Sequence, residues 1–148
     1  ICPSRGLGDV YKRQLLMFAA RVELIKHKIK TSKSDYILID RFYDASIAYQ
    51  GYGRKLSIPY IHSLINFINC PTPNLTVLLD ISVDEGFARK TNDKIDRIES
   101  SSKGFFERVR KGYLKIAKEN KTRFIIINAS LGIEEIHKKI TNKIHVLK

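Results

Sequence analysis

The chain has 148 residues, 43% of them hydrophobic, which is enough for one globular domain and too few for two. No run of about 18 apolar residues occurs and the N-terminus lacks the pattern of a secretory signal, so no membrane span is predicted and the cytosol is the expected compartment. The formal net charge of +12 suits a nucleic-acid-binding module, but the lysines are scattered over several predicted helices without interleaved aromatic residues. We therefore interpret most of this charge as solvated surface, and nucleic-acid binding is the weaker alternative.

The first fourteen residues resemble the conceptual translation of a transposon adapter that is used in preparing sequencing libraries. The run Asp9-Val10-Tyr11-Lys12-Arg13-Gln14 back-translates as GAT GTG TAT AAG AGA CAG, which resembles the transposase end sequence. Such segments are left out of fold reasoning, so residues 1–14 are predicted to be non-native and native sequence to begin near Leu15. Gly6-Leu7-Gly8 does not fit the phosphate-binding pattern G-x-x-x-x-G-K-[ST], and no apolar strand precedes it.

Helical and strand patterns alternate through residues 15–148. The spacing of apolar residues predicts six helices, at about 15–30, 44–50, 59–68, 83–90, 105–117 and 133–145. A turn at Gly51-Tyr52-Gly53 is predicted to end the second of them. Short continuous apolar runs predict buried strands at 36–40, 75–80 and 124–127, whereas the polar segment 91–103 has no clear period. This alternation predicts one α/β domain with a parallel sheet covered on both faces and ligands at the carboxyl ends of the strands.

Polar residues stand at those strand ends. Asp40 and Arg41 follow the first predicted strand, Asp80 ends the second, and Asn128 follows the third. A lone Asp-Arg pair is most often a structural ion pair. The functional interpretation is that Asp40 orients the Arg41 guanidinium, whose fork of donors can grip a phosphate bidentately.

Four motifs in order support the functional interpretation. The run from Asp40 to Gly51 (DRFYDASIAYQG) resembles the signature of the thymidylate kinase family. Three further stretches resemble the same family in order and spacing: Phe18–Arg21, Asp96–Glu99 with Phe105–Arg110, and Ile127–Ser130. The resemblance covers Leu15 to the C-terminus and implies the fold of P-loop nucleoside monophosphate kinases, here without its first two strands and its phosphate-binding loop.

The resemblance assigns the thymidine monophosphate (dTMP) site to particular residues. It implies that Arg41 binds the phosphate of dTMP and that Asp40 supports the phosphate and metal arrangement. It also implies that Ser46 contacts the thymine edge, with Gln50 assisting nearby. Tyr49 resembles the aromatic that packs beneath the sugar and excludes a ribose 2′-hydroxyl, although an ordinary packing role between helix and sheet is the alternative.

Arg21 resembles the arginine that hydrogen-bonds the thymine carbonyl. The family places a base-stacking aromatic four residues earlier, where this chain has Met17. Phe18, three residues before Arg21, shares a helix face with it, so either Phe18 or the softer Met17 could stack on the base.

The remaining motifs resemble the side of the site that holds ATP. Residues 89–103 resemble the family's mobile lid, whose expected phosphate-facing cations are Arg89, Lys90, Lys94 and Arg97. Phosphoryl transfer depends on positioning and on cationic stabilisation, so Arg41, Asp40, Arg89 and Arg97 are the candidate catalytic residues. At least one of the four lid cations is expected to be only a solvated loop charge. Asn128, Ala129 and Ser130 resemble the loop whose backbone lines the adenine.

The implied activity of the intact parent enzyme is ATP-dependent phosphorylation of dTMP to dTDP, with Mg²⁺ accompanying ATP and with a homodimeric assembly. Another nucleoside or nucleotide kinase of the same fold is the alternative. The 148 residues contain no G-x-x-x-x-G-K-[ST] loop, so this chain is expected to be inactive by itself, and no metal ligand is assigned within it. In the family the first strand lies between the strands that correspond to 36–40 and 75–80, so the isolated chain is also expected to be unstable or to aggregate.

Overall fold

The computed structural model describes residues 7–89 and 98–147. Its α-helices and β-strands, in chain order, are α1 (Leu7–Leu24), α2 (Tyr43–Ser46), α3 (Ile58–Phe67), β1 (Thr76–Asp80), α4 (Val83–Ala88), α5 (Ile98–Glu119), β2 (Phe124–Asn128) and α6 (Ile133–His145). Two helices continue in π-helical geometry, α1 into Ile25–Ile29 and α2 into Ile47–Gly53. Among the described residues, no helix combines the length and the apolar character that crossing a membrane would need.

The two strands form a parallel pair, as the sequence predicts. Thr76 lies opposite Phe124 at one end of the pair and Asp80 lies opposite Asn128 at the other. Beyond the last pair, the Ala129 amide donates to the Asp80 carbonyl at 2.8 Å, which fixes the loop after β2 against the end of β1. The carboxyl ends of both strands therefore meet at one edge, where α/β proteins place their ligands.

The strand predicted at 36–40 is not formed. Residues 36–39 belong to no strand, and Leu38 is 89% exposed. An apolar run becomes a buried strand only when a neighbouring strand takes its backbone hydrogen bonds, and the described sheet contains only β1 and β2. Cover of the two described strands is incomplete, because Leu79 and Ile126 are 48% and 52% exposed.

The turn predicted at Gly51-Tyr52-Gly53 is helical instead. No glycine in the described part of the chain has a positive φ, so these glycines do not serve a reversed turn. They permit close packing, because a Cβ on Gly51 would lie 3.1 Å from Ile58 and a Cβ on Gly53 would lie 2.6 Å from the Phe105 ring. The sequence misleads here because glycine favours a turn and a close approach equally.

Several helix boundaries also differ from the predictions. Helix α1 begins at Leu7, inside the segment predicted to be non-native, and α5 begins at Ile98, inside the segment that shows no period. Helix α3 begins at Ile58 with Pro59 in its first turn and a Ser57 cap, and the predicted bounds of α6 agree with the structure.

The main core lies between the π-helical segment 47–53 and α5. The side chains buried there come from four helices and the start of β2, and they include Phe18, Ile47, Ala48, Ile61, Val109, Ile116 and Phe124. The Arg108 guanidinium closes this interface by donating two hydrogen bonds of 3.1 Å to the Gly53 carbonyl. Segment 47–53, which carries the predicted dTMP residues Tyr49 and Gln50, is therefore fixed on α5.

A buried ion pair joins α2 to the sheet. Arg123, just before β2, donates two hydrogen bonds of 2.8 Å to the two carboxylate oxygens of Asp44 and a third of 3.0 Å to the Thr76 hydroxyl. Both charged side chains are almost fully enclosed, at 11% and 6% exposed. A bidentate pair fixes orientation as well as distance, so it ties the start of α2 to the beginning of both strands.

Candidate functional site

Arg21 is buried at the junction of α1 and α2. Its Nη2 donates to the Ser46 hydroxyl at 2.9 Å and to the Phe42 carbonyl at 3.2 Å. Its guanidinium carbon lies 4.8 Å from the centroid of the Phe18 ring, one helical turn earlier. The structure thus brings together Phe18, Arg21 and Ser46, three residues that the sequence assigned to one site, while Met17 is 39% exposed.

Two buried polar atoms of residues that the sequence assigns to the dTMP site are unpaired in the described structure. Within the described part of the chain, neither Arg21 Nη1 nor Gln50 Oε1 has a hydrogen-bond partner. Burial lowers the pKa of Arg21, an effect that Cys70 partly opposes. Leaving a buried polar group unpaired costs about 1–3 kcal/mol, more if it is charged, so such atoms call for a physical explanation. One unpaired donor and one unpaired acceptor are the groups that a ligand with the complementary pair could satisfy.

Arg41 has a strained backbone and an aromatic support. Its φ is +58°, in the left-handed region that non-glycine residues rarely adopt. Its guanidinium carbon lies 4.4 Å from the centroid of the Tyr49 ring. Asp40 is exposed and forms no ion pair with Arg41 among the described residues, so the predicted Asp-Arg partnership is not what orients this guanidinium.

A cavity of about 270 Å³ opens at the carboxyl end of β1. Asp80 and Arg110 form part of its wall and are joined by two hydrogen bonds, of 2.7 and 2.8 Å, between the carboxylate and the guanidinium. Tyr49 and Tyr113 line it as well, and most of its other lining side chains are apolar. The sequence singled out Asp80 as a strand end and Tyr49 through the family signature, but it did not assign Arg110 or Tyr113 to a site.

A spacing signal for those two residues was present. Phe106, Arg110 and Tyr113 are separated by four and three positions, which places them on one face of α5. Since Phe106 and Arg110 both belong to one of the four family-like motifs, extending that face by one turn would have included Tyr113.

The loop after β2 is connected to α4. Arg89 donates to the Ala129 carbonyl at 2.9 Å and pairs with Glu85 at 3.0 Å. The Ser130 hydroxyl donates to the other Glu85 oxygen at 2.8 Å, and the Ser130 amide donates to the Asn128 side chain at 2.8 Å. The structure therefore places Arg89 beside the loop predicted to line adenine. Lys90, Lys94 and Arg97 lie outside the described residues.

The described residues do not by themselves suggest a metal centre. Within 7–89 and 98–147, no three His, Cys, Asp or Glu side chains come together in a way that could hold an ion. Asp80 is engaged by Arg110. A magnesium ion that travels with ATP needs only one or two protein carboxylates, because most of its ligands are phosphate oxygens and water.

Comparisons with known proteins give one consistent result. The profile of the thymidylate kinase family matches residues 5–140. Thymidylate kinase of Prosthecochloris aestuarii is 40% identical over 145 residues, which are 88% of this chain and 65% of that protein. Thymidylate kinase of Kosmotoga olearia is 39% identical over 133 residues, which are 87% of this chain and 64% of that protein.

The fold comparison agrees with the sequence comparison. The crystal structure of thymidylate kinase from Ehrlichia chaffeensis matches 96% of this chain with a TM-score of 0.73 and 27% identity, and the match covers 67% of that structure. This chain thus spans about 65% of the length of the first curated relatives that it matches.

Proposed function

The chain belongs to the thymidylate kinase family, and from that premise we propose that it carries the dTMP-binding part of an enzyme that transfers the γ-phosphoryl group of ATP to dTMP. The observation that supports this most strongly is the pair of unpartnered buried atoms, Arg21 Nη1 and Gln50 Oε1. The same proposal includes the family's homodimeric assembly and a cytosolic location.

Thymine has the complementary edge. It presents a carbonyl oxygen, O4, beside an N3–H donor, so an arginine donor and an amide acceptor can both be satisfied by one base. Cytosine presents an amino group where thymine has O4, which would set a donor against the Arg21 donor. A site with a fixed donor rejects a base that cannot accept from it, because the buried guanidinium would stay unpaired.

Arg41 is the group that we propose for the phosphate of dTMP. It is exposed, and its guanidinium plane is supported on one side by the Tyr49 ring, which leaves its edge donors available. A planar guanidinium can donate two parallel hydrogen bonds to a phosphate, which gives direction as well as charge neutralisation. The strained φ of Arg41 fits a residue whose position serves a ligand rather than the stability of the chain.

The proposed ATP side of the site is supported by fewer contacts than the dTMP side. Arg89, held between Glu85 and the Ala129 carbonyl, stiffens the loop 128–130 that we propose for adenine. Mg²⁺ would enter with ATP as part of the phosphoryl donor and neutralise the charge of its phosphates. Residues of the proposed lid, Lys90, Lys94 and Arg97, would add positive charge at the transferring group.

Calorimetric titration of the 148-residue chain with dTMP and with dCMP tests this proposal. We expect dTMP to bind and dCMP to bind about 10-fold to 100-fold more weakly, the ratio given by one lost hydrogen bond to a charged group. Replacing Arg21 by Met removes the donor but keeps an unbranched apolar side chain, so we expect it to abolish this ratio; loss of the hydrogen bonds to Ser46 and Phe42 should also lower the melting temperature. Replacing the exposed Arg54 by Met is the matched control.

Equal affinity for dTMP and dCMP in the unmodified chain would contradict the proposed base site. Phosphoryl transfer is a separate test, because no G-x-x-x-x-G-K-[ST] loop occurs in the sequence. We expect this chain alone to form no dTDP from dTMP and ATP, and detection of dTDP would overturn that expectation. A panel of other nucleoside monophosphates in the binding assay separates a thymidylate site from that of another kinase of the same fold.

A further inference from the structure

Two tyrosine side chains, Tyr49 and Tyr113, lie close to the Arg41 guanidinium. Tyr49, from segment 47–53, presents its face to Arg41 at 4.4 Å. Tyr113, from α5, meets the Tyr49 ring edge-on, with centroids 6.2 Å apart and an interplanar angle of 81°. Tyr49 and Tyr113 also line the same cavity at the end of β1. Two separate elements of the fold thus converge on one exposed arginine.

We infer that Tyr113 is a positioning residue for Arg41, whose ring and hydroxyl hold the guanidinium in the orientation that receives a phosphate. The inference rests on the proposed function, because it takes Arg41 to be the phosphate ligand. It adds a residue that neither the family-like motifs nor the strand-end argument assigned to the site.

Arg41 needs such support. An arginine side chain carries about 2 kcal/mol of rotamer entropy, and binding is weakened by whatever part of it must be lost when the ligand arrives. Asp40 does not supply the orientation, because it forms no ion pair with Arg41 among the described residues. The segment before Arg41 is not held in a strand, so the backbone does not fix the side chain either.

One aromatic face is not sufficient for this purpose. Stacking on the Tyr49 ring fixes the plane of the guanidinium and its height, but it leaves rotation within that plane almost free. A contact at the edge of the guanidinium is needed to fix the rotation and hence the direction of the two parallel donors. Tyr113 stands beside the same ring and is the hydroxyl-bearing neighbour that can supply it.

The ionisation of Tyr113 is consistent with this role. Burial raises the pKa of Tyr113 to about 12, an effect to which Tyr49 adds, while the charge of Arg41 and a side-chain hydrogen bond with Arg41 act in the opposite direction. The hydroxyl is therefore neutral at physiological pH, and its oxygen can accept from a guanidinium N–H. Tyr113 and Arg41 are thus close enough to interact through this bond.

The test compares the binding of dTMP with that of thymidine, which lacks the phosphate. For Tyr113→Phe, which keeps the ring, we expect thymidine affinity to change less than about twofold and dTMP affinity to fall about 5-fold to 10-fold. A purely structural role would weaken the binding of both ligands together. The informative quantity is therefore the dissociation constant of thymidine divided by that of dTMP, which falls when only the phosphate contact is lost. Tyr52→Phe, on segment 47–53, removes a tyrosine hydroxyl elsewhere, so it is the matched control and should leave the ratio unchanged.

Arg41→Lys separates the two levels of the argument. If Arg41→Lys has the same ratio as the unmodified chain, Arg41 does not bind the phosphate as proposed, and the proposed function fails at that point. If Arg41→Lys lowers the ratio but Tyr113→Phe does not, the positioning role of Tyr113 is overturned while the proposed function stands. When both variants lower it, combining them should lower it no further than Arg41→Lys alone, because Tyr113 acts through Arg41.

Discussion

The most direct test of how the N-terminal segment fits this fold is the replacement of Gln14 by Leu. Gln14 lies on α1, inside the run that resembles a translated adapter, and its side chain is 0% exposed. Neither its Nε2 nor its Oε1 has a hydrogen-bond partner within the described residues. A buried amide with both polar atoms unpaired is what one expects where the residue was not selected for its place in the core, so it supports the proposal that residues 1–14 are non-native.

The size of the effect follows from the lost solvation of the amide. Burying an unpaired amide costs about 1–3 kcal/mol in proteins, and leucine has a similar volume without polar atoms. We therefore expect Gln14→Leu to raise the free energy of unfolding by about 2 kcal/mol. For a chain of this length that corresponds to an increase of about 4–8 °C in melting temperature, measured by far-UV circular dichroism.

The matched control is Arg13→Leu, one residue earlier on the same helix. Arg13 is exposed, so the same new side chain should change the free energy of unfolding by no more than about 0.5 kcal/mol. If Gln14→Leu melts at or below the temperature of the unmodified chain while Arg13→Leu is neutral, the cavity around position 14 is not apolar and the reasoning fails.

Two further predictions concern packing and pH. Gly112→Ala should destabilise the fold by about 1–3 kcal/mol in urea unfolding, because the new Cβ would lie 2.6 Å from the Tyr52 ring. Burial raises the pKa of the Cys70 thiol to about 11 from 9.0, so its alkylation at pH 8 should be about 100-fold slower in the folded than in the unfolded chain, once the other cysteine is replaced by serine. Because the folded pKa is the higher one, the stability that Cys70 contributes is present below pH 9 and is lost as the pH rises towards 11.

Both predictions can be checked against a control measured on the same chain. Gly86 is also in a helix, but a Cβ there meets only Ile81 at 3.8 Å, so Gly86→Ala should stabilise by about 0.5–1 kcal/mol where Gly112→Ala destabilises. The same sign for both variants would refute the steric argument. For Cys70, alkylation of the folded chain at the rate seen in urea would show that the thiol is not protected.

The parts of the fold that local pattern determines were predicted well. Strands β1 and β2 are short apolar runs that pair with each other, and α6 is a strongly amphipathic helix with acidic residues in its first turn. The run Tyr36–Ile39 has the same apolar character and yet forms no strand, because a strand requires a neighbour that the run itself cannot provide. The reading of Gly51 and Gly53 as a turn failed for a related reason, since their packing partners Ile58 and Phe105 are visible only in three dimensions.

The candidate site likewise contains residues that the sequence predicted and residues that it missed. Arg21 and Ser46 are 25 positions apart and were brought together by the order of family-like motifs, and a hydrogen bond of 2.9 Å joins them. Arg110 and Tyr113 were missed because their role depends on how α5 crosses segment 47–53. The sequence fixes the spacing along a helix, but the face that meets a neighbour is set by the packing of both elements.

These two halves of the site also differ in what holds them. The residues proposed to recognise the base, Arg21, Ser46 and Gln50, lie on α1, α2 and segment 47–53, and Arg21 donates directly to Ser46. The proposed phosphate side depends on Arg41, which follows a segment that belongs to no strand and whose guanidinium lies over the Tyr49 ring. We therefore expect the affinity for the phosphate to depend on how α5 and segment 47–53 present Tyr113 and Tyr49 to the Arg41 guanidinium.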